Sequence, residues 1–302
     1  MEGKLHLLAL GSPTECKQAY DELRTKIHHD KLGNGDETKH WIPTLLLLLK
    51  SEKEEVKRKV VSLLKEIGPA TKKQVDELLF FLNEEEPDII KWALMSLKTP
   101  MTQKKAREVS NKVLPFLASE SISVRNAAAE VLLSVMYPMN PSFVEQLPLV
   151  YKILELDRSK VKQEEQADAD RCLENAILLL ARCHQFDEAL VNEIGERLLP
   201  FLSHENANVR EAAVRALHDL EYCERAYIDV LAGRLKTEPN KNIRKYILFF
   251  NLGQRKLVNQ FLNEVISIYK SAYHVEKADS MRKVIEIELN HLSRKAEGMK
   301  RG

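Results

Sequence analysis

Along most of the chain, apolar residues recur three and four positions apart, which is the spacing of one helix face rather than the alternation of a strand. The pattern is also periodic on a longer scale. An apolar residue followed by a basic one opens a helix at Val56-Lys57, Ile90-Lys91, Val124-Arg125, Val209-Arg210 and Ile243-Arg244, at separations of 34, 34, 85 and 34 residues. The long gap holds a degenerate copy at Cys172-Leu173. Four positions after each apolar anchor stand Val60, Leu94, Ala128, Ala176, Ala213 and Ile247; seven positions after stand Leu63, Leu97, Val131, Leu179, Ala216 and Phe250. These twelve residues predict one buried stripe, repeated on successive helices.

Upstream of each anchor lies a second apolar segment, at 41–49, 75–82, 109–117, 143–156, 194–202 and 227–235. Pairs of helices are therefore the unit. Gly68-Pro69, Glu86-Pro87, Thr99-Pro100, Tyr137-Pro138 and Glu238-Pro239 fall between segments, where proline ends a helix without breaking its interior. Residues 28–38, with Gly33-Asn34-Gly35-Asp36, read as a mobile loop or hinge.

Two copies carry a nameable likeness. Leu114-Pro115-Phe116-Leu117 before Val124-Arg125-Asn126-Ala127-Ala128, and Leu199-Pro200-Phe201-Leu202 before Val209-Arg210-Glu211-Ala212-Ala213, resemble HEAT repeats. The resemblance implies an all-α, right-handed superhelical solenoid of about seven to eight helix pairs. A single domain over 1–302 is expected, with an atypical cap and loop at 1–37, repeats over 38–253 and capping helices over 254–302. It also implies a ladder of acid–base pairs between neighbouring repeats. An acid stands five before the base in Glu52/Lys57, Glu86/Lys91, Glu120/Arg125 and Glu205/Arg210, and Glu238/Arg244 is off by one. Exposed pairs contribute about 0–1 kcal/mol each, so register is the expected role.

The 302 residues are 44% hydrophobic and 30% charged, enough to bury a substantial core, and 46 basic against 45 acidic residues offer no overall field for a polyanion. Cys16, Cys172, Cys183 and Cys223 form no Cys-x-x-Cys pair, so neither a disulfide framework nor a zinc knuckle is expected. With no apolar run of membrane-spanning length and no signal-peptide pattern, the expected compartment is cytoplasmic or nuclear.

Candidate chemistry is sparse. His28-His29-Asp30 with His40 has metal-like composition but reads as solvated, and Cys183-His184 reads as a helix end with a buried thiol. The iron-binding His-Glu pairs of the HEAT-type deoxyhypusine hydroxylases have one counterpart here, His204-Glu205 in a turn, and no phosphate-binding glycine loop occurs. No cofactor, metal or small-molecule substrate is expected. A basic and aromatic stretch over 233–256 keeps open an alternative in which nucleic acid is bound, as in the HEAT-like DNA glycosylases. A structural subunit of a larger assembly is a third class.

In HEAT solenoids the second helix of each pair lines the concave side. The positions two and six after the anchor point away from the buried stripe, and they supply the candidate contacts Arg58, Trp92, Glu130, Leu178, Arg215, Lys245 and Phe249, with the alternative that the superhelical twist tucks Trp92 and Phe249 between neighbouring helices as core. The reading is a non-catalytic scaffold that holds a protein or peptide on that face.

Overall fold

The computed structural model describes residues 2–32, 37–49, 51, 53–67, 75–98, 101–135, 141–185, 187–276 and 278–301, and among them there is no strand. Contacts divide the chain into two compact units, Met1–Leu149 and Val150–Gly302.

The first unit contains α1 (Glu2–Leu10), α2 (Pro13–Leu32), α3 (Ile42–Leu48), α4 (Glu54–Ile67), α5 (Val75–Phe80), α6 (Pro87–Ser96), α7 (Gln103–Val113) and α8 (Ile122–Val135). The even-numbered helices stack in order, α2 on α4, α4 on α6 and α6 on α8, and each odd-numbered helix packs beside its partner. Such stacking is what a repeated apolar stripe requires, because no pair can cover its own face. Val60, Leu63, Leu94, Leu97, Ala128 and Val131 are all buried there. Burying a Val or Leu side chain is worth roughly 1.5–3 kcal/mol, so the stripe is the main source of stability. The first helices end in tighter 3₁₀ turns, as in Leu114–Ala118, whose second residue is Pro115. Proline has no N–H to continue an α-helical ladder, and the Leu-Pro-Phe-Leu signature is thus a shaped helix end.

The stretch expected to be a loop at 28–38 is helical as far as Leu32. His28 and His29 lie exposed on the last turns of α2, while Asp30 is buried. Its carboxylate accepts hydrogen bonds from the Thr38 backbone N–H (2.8 Å), the Thr38 hydroxyl (2.7 Å) and the Glu37 N–H (3.1 Å). The Thr38 hydroxyl bond is the main cause of a lowered Asp30 pKa. Asp30 thereby fastens the return of the chain after α2. Residues 33–36 lie outside the described residues.

The second unit holds most of α9 (Leu147–Leu154), then α10 (Gln166–Ala181), α11 (Glu188–Leu198), α12 (Ala207–Asp219), α13 (Arg225–Thr237), α14 (Lys241–Tyr246), α15 (Arg255–Gln260), α16 (Leu262–Val275) and α17 (Asp279–Arg301). Again the second helices stack, α10 on α12 and α12 on α14, with α13 against α16 and α16 against α17. Gly195 in α11 has a packing reason: a Cβ there would lie 2.2 Å from the Tyr222 ring. Asp187, Asn206 and Asn240 cap α11, α12 and α14 by accepting backbone N–H bonds.

α14 does not continue as an α-helix. Residues Ile247–Asn251 form a π-turn, closed by a bond from the Leu252 N–H to the Ile247 carbonyl at 2.9 Å. This widening overturns one expectation. The seventh position after the anchor is fully buried in Leu63, Leu97, Val131, Leu179 and Ala216, but Phe250 is 47% exposed. The wider turn leaves Phe250 facing outward, while Asn251 keeps the interior position that Leu64, Leu132, Leu180 and Leu217 hold in other copies.

Candidate functional site

The charges at the start of the second helices were expected to pair between neighbouring repeats, with each acid five before the base of its own repeat. In the second unit the pairing acids, Glu238 and Glu276, stand six before that base and join the base of the preceding repeat. Arg210 donates from Nε and Nη2 to both Glu238 oxygens (2.8 and 2.9 Å), a bidentate pair with both side chains buried. Its Nη1 donates to the carbonyls of His204 and Glu205, each at 2.8 Å. Arg244 repeats the arrangement: Nε reaches Glu276 at 3.3 Å and Nη1 donates to the Glu238 and Pro239 carbonyls. Arg282 donates to the Glu276 carbonyl at 2.6 Å. Met281-Arg282 is therefore a further apolar–basic pair, hidden from the sequence pattern because it lies 38 residues after Ile243-Arg244.

Each ladder acid serves two repeats, its carboxylate taking the preceding Arg and its carbonyl the following one. The same carboxylates also accept the N–H two residues on, Asn240 for Glu238 (3.0 Å) and Ala278 for Glu276 (3.1 Å). Ser51, Ser119 and His204 occupy the equivalent position and accept from Lys53, Ser121 and Asn206. His204 is neutral by environment, its pKa lowered first by burial. That suits a repeat whose preceding basic position is Leu173. Glu205 pairs instead with Arg158, which also donates to Asp170 at 3.1 Å. Burial opposes ionisation of Glu238, yet hydrogen bonds from Arg210 and Arg234 outweigh it and hold the pKa at about 2. In the first unit Lys57, Lys91 and Arg125 are half-buried, Glu86 and Glu120 are exposed, and Glu52 lies outside the described residues.

The expected contact residues separate into two groups. Trp92 is 2% exposed and meets the Phe81 ring edge-on at 6.4 Å, so it is core of the first unit and not a contact residue. Close stacking of α6 beside its neighbours closes over this column, where Asn126 is buried too, and over Ser96 of the second column. Arg58 is exposed; Glu130 is half-buried and paired with Lys98 at 2.7 Å. In the second unit Leu178 and Phe249 are half-buried, and Arg215 and Lys245 are exposed.

Around Arg215 and Lys245 the structure assembles an aromatic patch. Tyr246 and Phe250 stack with ring centroids 4.5 Å apart, and His218 of α12 meets both edge-on, at 6.0 and 5.9 Å. The Arg215 guanidinium lies 5.4 Å from the Tyr246 ring centroid and pairs with Glu211 at 2.6 Å. Gln254 fixes His218, donating to its carbonyl at 2.7 Å and lying 2.9 Å from Nδ1. Burial, then Asp219, raises the Tyr246 pKa, so the ring is a neutral phenol. Beside the stack an open hollow of about 710 Å³ is lined by His218, Asp219, Glu221, Gln254, Arg255 and Lys256 among others.

The π-turn that exposes Phe250 is held by two tyrosine hydroxyls and a backbone carbonyl from three other helices. In an α-helix the Leu252 N–H would bond the Leu248 carbonyl; here that carbonyl is released, and the buried Tyr269 hydroxyl of α16 donates to it. Asn251 donates to the Val214 carbonyl of α12 at 2.8 Å and contacts the Tyr227 hydroxyl of α13. Sequence periodicity missed both residues, although a polar Asn in an otherwise apolar run, Leu248-Phe249-Phe250-Asn251-Leu252, is a readable sign of altered phase.

Among the described residues no group of three His, Cys, Asp or Glu is placed to hold a metal ion. Burial pushes the Cys183 thiol up to about 12, far from a reactive thiolate; the His184 side chain lies outside the described residues. Among the described residues no helix is long and apolar enough to cross a membrane. Within the basic stretch 233–256, Arg234 and Arg244 are taken by Glu238 and Glu276, and Lys256 by Glu188.

No protein-family profile matches the chain, and no curated protein matches it. Solved structures do. The chain is similar to an engineered protein, structural-genomics target OR497, at 16% identity and a TM-score of 0.58, over 96% of this chain and 77% of that one. It is also similar to YibA of Escherichia coli, at 14% identity and a TM-score of 0.51, over 86% of this chain and 96% of that one. These likenesses show the fold, an all-α helical repeat built from stacked helix pairs.

Proposed function

We propose that the chain is a non-catalytic scaffold that holds a protein or peptide partner on the second-helix face of its second unit, with the Tyr246–Phe250 stack as anchor. One observation carries the reading. A π-turn, fastened by the buried Asn251 and Tyr269, turns an aromatic ring out of a column that is buried in every other copy. Repeat consistency is given up there and nowhere else along the column, and such departures mark functional positions. Aromatic and Arg groups that are packed on one side and open on the other are also the residue types that dominate interface energies.

A photocrosslinking amino acid at Phe250 tests this directly in extract of the native cell. Discrete protein adducts are expected from position 250 and not from Glu196, an exposed site on α11. Adducts equal at both positions, or none at 250, would refute the assignment.

A further inference from the structure

We infer that the partner segment is an acidic peptide whose carboxylates lie on one side of an aromatic or large aliphatic anchor, a conclusion that rests on the scaffold reading above. The rings of Tyr246 and Phe250 offer a flat apolar seat, and what surrounds them is not symmetric. On the α14 side stand Lys241 and Lys245, both exposed and without an ion-pair partner among the described residues. They are four residues apart on one helix face, continuing to Phe249, with no acid between them. Four residues of helix separate the two backbone positions by about 6 Å along the axis, close to the ~7 Å between alternate side chains of an extended peptide. Arg215 adds a third cation next to Tyr246, its charge shared with Glu211.

On the hollow side the sign is mixed. Asp219 and Glu221 face Arg255 and Lys256 there, and Lys256 is already held by Glu188 at 2.8 Å. A long polyanion crossing the patch would leave the lysines and meet Asp219 and Glu221. A short segment avoids this when its carboxylates lie over Lys241 and Lys245 and its anchor stops at the rings. This asymmetry favours a peptide over a nucleic acid strand, although the aromatic stack alone would suit either. Rim charges of this kind select partners by sign more than they add affinity, so the anchor is expected to supply most of the binding.

The test uses the full chain and fluorescein-labelled decapeptide probes read by anisotropy at low salt. One probe carries three Glu residues at alternate positions before a single Phe, and a second carries them after it. The others replace Phe by Ala, or Glu by Lys, and a uridine dodecamer serves as the nucleic acid probe. One of the two acidic Phe probes is expected to bind, with about tenfold weaker binding after Phe→Ala in the probe or Phe250→Ala in the protein. The double variant Lys241→Glu, Lys245→Glu should lose the acidic probe and gain the Lys probe, a reversal that unfolding cannot mimic. Equal binding of the Phe and Ala probes, no sign reversal, or tighter binding of the uridine strand would each overturn the inference. Protein adducts at position 250 without acidic-probe binding would sink the peptide chemistry alone; absence of adducts would remove the scaffold reading beneath it.

Discussion

Replacing Glu238 with Ala removes the acid that joins α12, α13 and α14. Glu238 accepts the bidentate Arg210 pair, a bond from Arg234 and the Asn240 N–H, and its side chain is fully buried. Its pKa falls from 4.5 to about 2 on folding. At 1.36 kcal/mol per unit, that difference corresponds to about 3 kcal/mol of stability in the ionised state. Truncation also leaves the buried Arg210 guanidinium with only the His204 and Glu205 carbonyls, and breaking a buried pair costs about 3–5 kcal/mol. The expected loss is therefore about 3–4 kcal/mol, measured by hydrogen exchange in α12–α14, which reports on the second unit by itself. The pH dependence has a definite sign. A depressed carboxyl pKa stabilises above the unfolded value near 4.5, and the contribution disappears as pH falls toward 2. Wild type should lose protection through that window, and Glu238→Ala should lose less. A cost under about 1 kcal/mol, or identical acid sensitivity in both proteins, would refute the ladder energetics.

Other consequences are equally concrete. Tyr269→Phe leaves the Leu248 carbonyl buried without its donor and should cost about 1–3 kcal/mol in urea unfolding, whereas a neutral result would mean that the π-turn does not depend on that hydroxyl. Asn251→Leu removes the polar anchor and should shorten the π-turn to α-helix, drawing Phe250 inward; a fluorine label on the Phe250 ring should then lose its solvent isotope shift, and an unchanged shift would contradict the cause assigned to the turn. Trp92→Ala should cost about 3–5 kcal/mol in the first unit by thermal melting while leaving probe binding at the second unit unchanged; weaker binding at matched folding would return Trp92 to the contact surface.

The repeat register was legible because it depends on local spacing. An apolar anchor followed by apolar residues four and seven later can bury one face only as a helix, and the interval of 34 residues places equivalent faces side by side. What escaped depends on groups far apart in the chain. Phe250 leaves the buried column at a turn held where Asn251 reaches Val214 and Tyr269 reaches Leu248, bonds that span 37 and 21 residues. Helix phase sets Trp92 in an outward column and leaves surface and core both open; the neighbouring helices close over it. The ladder was offset by one residue because Glu238 uses its carboxylate for Arg210 and its carbonyl for Arg244, a division that residue spacing cannot express. His218 became part of the candidate site only through the stack that the π-turn creates.

The most direct measurement is the affinity of the protein captured at position 250, produced recombinantly, for the wild-type chain and for Phe250→Ala, after showing that both melt alike. The account predicts a loss of about tenfold or more, about 1.4 kcal/mol, from removing one exposed ring. An unchanged affinity would show that the outward turn of Phe250 does not serve binding and would contradict the assignment of this face.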